Sequence, residues 1–199
     1  MESICKKKIL AVEGKDCVGF FNAFLEYLKI TDFEIYDIGG TCEFKDNLGA
    51  LFKRRGFSDV EIFGIICDAE NNDKSAFQRI QNILKNNDIK PPREKNRFFR
   101  GKPNIGIFIM SGNSNKGMLE DLCLKTVEKH PAMECVNNFA NCVSKLQNPP
   151  KIVAKSKAQV YLAAMPKIVN SIGLGAKNGY WNFESKELFD LKKFMRKFE

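Results

Sequence analysis

Histidine is nearly missing from this chain: the only one among 199 residues is His130. It has no ligand neighbour at zinc spacing, and no two of the seven cysteines (5, 17, 42, 67, 123, 135 and 142) form a CxxC pair. Neither a zinc site nor a disulfide framework is therefore expected. Beside Pro131, His130 also lacks a partner for nucleophilic catalysis and reads as a loop residue. Long apolar runs are absent too. None approaches the roughly 18 residues of a membrane span. The stretch from Ile9 to Val12 is broken by Glu13 and is too short for a signal peptide. A cytoplasmic location is expected. No internal repeat and no low-complexity tract is present.

What is there fits a globular protein, with 44% hydrophobic and 28% charged residues. The length suits one ordinary domain with an elaborated end. The expected division is an α/β core over 1–130 and a helical C-terminal extension over 131–199, packed on the core. Cys67 and Cys123 lie inside apolar runs, Ile65-Ile66-Cys67 and Leu122-Cys123-Leu124, as buried free thiols do. The net charge of +8 favours polyanions, nucleic acid first. Basic residues cluster at Lys53-Arg54-Arg55, over 90–102, and over 192–197, where a solvated helix face is the plainer reading.

Apolar periodicity sets out the elements. Lys8 to Glu13, Glu34 to Ile38, Val60 to Cys67 and Asn104 to Met110 read as strands. Helical stripes follow over Asp16 to Lys29, around Leu48 to Phe52, over Phe77 to Leu84 and over Leu119 to Val127. Gly39-Gly40 closes the second strand, and Pro91-Pro92 opens a charged loop. Met133 to Leu146, Lys157 to Ile168 and Glu184 to Phe198 read as helices of the last third. Alternation of this kind implies an α/β fold: a parallel sheet of about four strands with helices on both faces. Gly173-Leu174-Gly175 follows no early strand and is no dinucleotide fingerprint. Tyr180 and Trp181 could stack on bases, although burial is the commoner use of such rings.

Ligands of open parallel sheets sit beyond the carboxyl ends of the strands. Acids stand at three such ends: Glu13 after the first strand, Asp68 and Glu70 after the third, Glu120 and Asp121 one loop after the fourth. Gathered without a cation they would repel, and one would take up a proton. A hard divalent ion resolves the conflict, and Mg²⁺ suits carboxylate, water and phosphate ligands. Asp68 could equally be a helix cap.

Val12-Glu13-Gly14-Lys15-Asp16 and Ile66-Cys67-Asp68-Ala69-Glu70 resemble the two signature motifs of the Toprim domain, shared by primases, topoisomerases, small RNA-maturing nucleases and the overcoming-lysogenization-defect (OLD) nucleases. Ser111-Gly112 and the downstream Glu120-Asp121 resemble further OLD-type features. The chain as a whole is similar to standalone bacterial Toprim-like proteins, and the motif-bearing part covers roughly residues 6–125. Two departures stand out. The family's DxD is DxE here, with Glu70 second, and Cys17 stands where many relatives carry an acid. Asp16, one residue earlier, reads as the first helix's N-cap.

The resemblance implies Mg²⁺-dependent (or Mn²⁺-dependent) hydrolysis of phosphodiester bonds in DNA or RNA, with phage defence as the setting suggested by the OLD nucleases. Asp68 and Glu70 would hold the metal, and Glu13 would serve as acid, base or further ligand. Glu120 and Asp121 would complete a two-metal arrangement. A late lysine would stabilise the transition state; Lys157, with Lys155 beside it, is the candidate by position. Lys15, Lys53, Arg54 and Arg55 are the residues expected to meet nucleic acid. The alternative is a non-catalytic metal- or nucleotide-binding module that regulates a protein partner or assembles with itself. A flavodoxin-like protein fits less well, because the acidic turn Glu13-Gly14-Lys15-Asp16 would repel a phosphate unless a cation intervened.

Overall fold

The structure, a computed structural model, describes residues 3–40, 43–110 and 115–199. Strands β1 (Lys8–Val12), β2 (Phe33–Asp37), β3 (Ile62–Asp68) and β5 (Asn104–Met110) are parallel, and β4 (Arg97–Phe99) adds an antiparallel edge, giving the order β2-β1-β3-β5-β4. The fifth strand departs from the expected loop over this stretch. It is three residues long, too short for alternation to register, and it closes the sheet edge against β5.

β3 and β5 are buried along nearly their whole length because both sheet faces are covered. Ile9, Ala11, Phe63, Ile65, Ile105 and Ile107 point to the face packed by α2 (Phe44–Phe52) and α3 (Asp73–Lys85). Leu10, Val12, Ile66, Phe108 and Met110 point to the other, with α1 (Lys15–Tyr27) and α4 (Leu119–Thr126). The same second core takes in the last third, α5 (Ala132–Val143), α6 (Val153–Ala163), α7 (Ile172–Lys177) and α8 (Phe189–Met195). Its closest approach to the sheet is at glycines. A Cβ on Gly64 would meet the Phe198 ring at 2.7 Å, and one on Gly106 would lie 2.5 Å from Phe98 and 2.8 Å from Phe194.

The helices of this third differ from the sequence reading. α6 starts at Val153, straight after Pro149-Pro150, and ends at Ala163 instead of running to Ile168, because Pro166 cannot continue a helix. The stretch from Glu184 divides into short 3₁₀ turns flanking α8. Trp181 is buried, its indole N–H donating to the Ile172 carbonyl at 3.0 Å, so it is not a stacking platform. Cys17, Cys67 and Cys123 are buried, whereas Cys5, Cys135 and Cys142 are exposed. No helix among the described residues is long and apolar enough to cross a membrane.

Candidate functional site

β1 and β3 are neighbours in register, Val12 beside Ile66, so the residues that follow them emerge together at the carboxyl edge of the sheet. Glu13 leaves β1 and its Oε2 accepts the backbone N–H of Asp68 at 3.3 Å. Gly14 then turns the chain at φ 86°, a conformation open to glycine. Its N–H and that of Gly39 (φ 72°) both donate to Asp37 Oδ1, at 3.0 and 2.8 Å. One carboxylate thus ties together the turns that end β1 and β2. Sequence reasoning passed over Asp37; the signal was an acid closing the second strand just before Gly39-Gly40.

Asp68 closes β3, the central strand. Its Oδ1 accepts the N–H of Leu119, at the start of α4, at 3.1 Å. Burial, then the charges of Glu13 and Glu120, push its carboxyl up to about 8, against the Leu119 bond and the Lys155 ammonium. Glu120 sits in the first turn of α4 and is raised as well, chiefly by burial, with Lys155 Nζ 4.0 Å from its Oε1. Beneath them lies Cys17, whose thiol is held neutral by burial and by Asp68, Glu13 and Glu120. The fifth position of the Glu13-containing turn segment is therefore filled by a buried, protonated sulfur.

Glu13 and Glu120 accordingly both act on Asp68. Asp121 has a structural task. Asp121 Oδ2 accepts the Met118 N–H at 3.0 Å and caps α4. Glu70 is exposed at φ 48°, and its backbone exchanges hydrogen bonds of 2.9 and 3.0 Å with Gly117. Asp16 does not cap α1, which begins at Lys15 behind Gly14. Among the described residues, no three His, Cys, Asp or Glu side chains form a group that could hold a metal ion as they stand. Mg²⁺ does not require one, since it commonly binds through one or two carboxylates, with water and substrate phosphate completing the shell. Asp68 and Glu13 fit that donor set.

A family model, Protein of unknown function (DUF3226), matches residues 7–199. The chain belongs to the DUF3226 family. No curated protein and no solved structure matches it.

The basic candidates of this DUF3226 chain fall in different places. Lys15 is exposed one residue past Gly14, at the start of α1. Lys53, Arg54 and Arg55 follow α2 at the opposite end of the sheet, where the Arg55 carbonyl accepts the Ile4 N–H ahead of β1. There Arg54 lies over the Tyr36 ring, 5.1 Å from its centroid. Lys155 reaches Glu120, and Lys157, two residues on, is about 200° further round α6. Of the two lysines, the structure thus brings Lys155 to the carboxylates. His130 lies in a bend, its Nδ1 accepting the Ala132 N–H at 3.2 Å. Ser111-Gly112 and Cys42 lie outside the described residues.

Proposed function

We propose that this chain hydrolyses phosphodiester bonds of nucleic acid with Mg²⁺ at the carboxylates of Glu13, Asp68 and Glu120, in the manner of Toprim nucleases. The observation that carries the reading is Asp68, a half-buried carboxyl at the end of the central strand, raised to about 8 by desolvation and its two acidic neighbours. A site with more negative charge than it can hold ionised favours either a proton or a cation. The order and spacing of the two Toprim-like motifs support the cation. Asp68 and Glu13 would hold Mg²⁺, which would polarise a phosphoryl oxygen. Glu13 would also serve as the base that takes a proton from the attacking water. Lys155, exposed beside Glu120, offers an ammonium to the charge that develops on the phosphate.

Labelled single- and double-stranded DNA and RNA, incubated with Mg²⁺ or Mn²⁺, test the proposal. Cleavage is expected, falling at least about 100-fold in Glu13→Gln, the order of one acid–base group, and at least as far in Asp68→Asn. Cleavage that survives Asp68→Asn overturns it, as does the absence of any cleavage. A second reading keeps the same carboxylates and drops the turnover. A regulatory module would bind Mg²⁺ or a nucleotide through Asp68 and act on a partner, and binding without turnover would select it.

A further inference from the structure

The sheet edge formed by β4 lies in a groove of about 750 Å³. α3 supplies Lys74, Phe77 and Gln78, the 93–98 segment lines the middle, and α8 with the 3₁₀ turn after it supplies Lys193, Phe194 and Lys197. Six cations line it (Lys74, Arg93, Lys95, Arg97, Lys193 and Lys197) against two carboxylates, Glu94 and Asp190. These residues come from three separated stretches of sequence, so the concentration of charge is a product of the fold.

The cations have different tasks. Lys95 pairs with the buried Asp73 at the start of α3, and this fastens the 93–97 segment to the helix. Arg97 stands 3.9 Å from Glu94 in an exposed pair of little strength. Lys74, Arg93, Lys193 and Lys197 are exposed and bridge to no carboxylate among the described residues. Between them Phe77 and Phe98 are half-buried along the groove. A second hollow continues over α3, sharing Lys74 and Gln78 and adding Lys45 and Arg79.

We infer that this groove is the docking track for a single-stranded polynucleotide, its phosphates on the lysines and Arg93 and its bases against Phe77 and Phe98. A single small anion would need donors converging on one point, and these cations are strung along an open edge. A spread row of cations interleaved with aromatic rings is the arrangement that binds unpaired strands. Both rings are partly committed to packing, Phe98 against Phe194 with centroids 4.7 Å apart, and their open parts face the groove; an acidic protein segment would use the charge alone. The inference rests on the proposed function for its substrate class. It places the contact surface on β4, α3 and α8 in preference to Lys53-Arg54-Arg55. The loop from Asp68 to Asp73 runs from the carboxylate site to the start of α3, one residue before Lys74, and there the Asp73 N–H donates to the Asn115 carbonyl at 3.0 Å.

The test is fluorescence anisotropy with labelled 20-nucleotide DNA and RNA strands across a salt series in EDTA, which separates binding from any cleavage. The variant Lys74→Ala/Arg93→Ala/Lys193→Ala/Lys197→Ala should bind at least tenfold more weakly. The slope of log affinity against log salt should fall by about 0.7 for each cation removed. A control with the same charge change, Lys125→Ala/Lys129→Ala/Lys145→Ala/Lys151→Ala, should stay within about twofold of wild type. Equal losses in the two variants, or none in the groove variant, would falsify the inference. Polyglutamate displacing the strand as well as unlabelled oligonucleotide does would overturn it in favour of an acidic protein. Thermal melting of both variants confirms that they are folded. Binding is read in EDTA and cleavage in Mg²⁺, so a failure of the nuclease reading and a failure of the groove are seen separately.

Discussion

Asp68 is held by two opposing influences. The Leu119 N–H and the start of α4 favour its ionised form, while burial and the carboxylates of Glu13 and Glu120 oppose it more strongly, leaving the carboxyl at about 8. An aspartate in the unfolded chain titrates near 4. The native protein therefore holds a proton that the unfolded chain has released between those values. The associated stability is fully present below about pH 4, declines as pH rises, and is gone once pH passes about 8. A cation that replaces the proton offsets this loss where the loss is greatest. Adding Mg²⁺ should raise the melting temperature more at pH 8.5 than at pH 6. In Asp68→Asn, which keeps an acceptor for Leu119, both the pH trend due to this group and the Mg²⁺ gain should disappear. Differential scanning fluorimetry at the two pH values decides the matter; an Mg²⁺ gain that persists in the variant places the cation elsewhere. Cys17 belongs to the same balance, because a neutral thiol under the three carboxylates adds no further negative charge to them.

At the scale of elements, close packing depends on glycines whose purpose the sequence does not reveal. Gly173 looked like part of a failed nucleotide fingerprint, and the fold uses it to bring α7 against α1: a Cβ there would lie 2.7 Å from the Gly19 Cα. Alanine in a helix gains up to about 1 kcal/mol in propensity over glycine. Forcing two backbones apart costs typically 1–3 kcal/mol, so the clash should win. Gly173→Ala is expected to be net destabilised in urea titration. Gly40→Ala, with nothing within 4 Å and no strained φ, should stay within about 0.5 kcal/mol of wild type. The parallel strands were legible because burial on both faces makes them continuous apolar runs, and Asn104–Met110 is bounded as expected. β4 was not, since three residues carry no period. The apolar spacing from Lys157 to Ile168 runs on past Pro166, so the pattern alone extends the helix beyond its end at Ala163. Glu13 and Asp68 were legible as acids at strand ends, whereas pairing contacts between loops carry no local signal. The turn of Glu70 onto Gly117 is such a contact. Asp121, three residues after Met118, had the spacing of a capping residue and could have been read as one.

Across the whole molecule, the expected division at residue 130 meets a core that runs through it. Leu191, Phe194, Met195 and Phe198 are buried in the same cluster as Leu10, Ile66 and Phe108, and the Phe194 and Phe198 rings occupy the space that Gly106 and Gly64 leave on the sheet. Each such side chain contributes about 1.5–3 kcal/mol on burial, so the four together are worth on the order of 6–12 kcal/mol. A protein of this size is stable by about 5–15 kcal/mol in total. Removing residues 189–199 should therefore unfold the chain rather than free an independent core. The intact protein offers a milder measurement. Trp181, its single tryptophan, is buried in the last third and reports that part by fluorescence, while far-ultraviolet circular dichroism reports the whole. If one core holds both parts, the two signals should share a single midpoint in guanidinium, even though a chain of this length often unfolds in steps. A tryptophan transition that precedes the loss of secondary structure would mean that residues 131–199 detach from a sheet able to stand without them. The groove along β4 should then lose its α8 wall, and strand binding should fall at the first midpoint instead of the second.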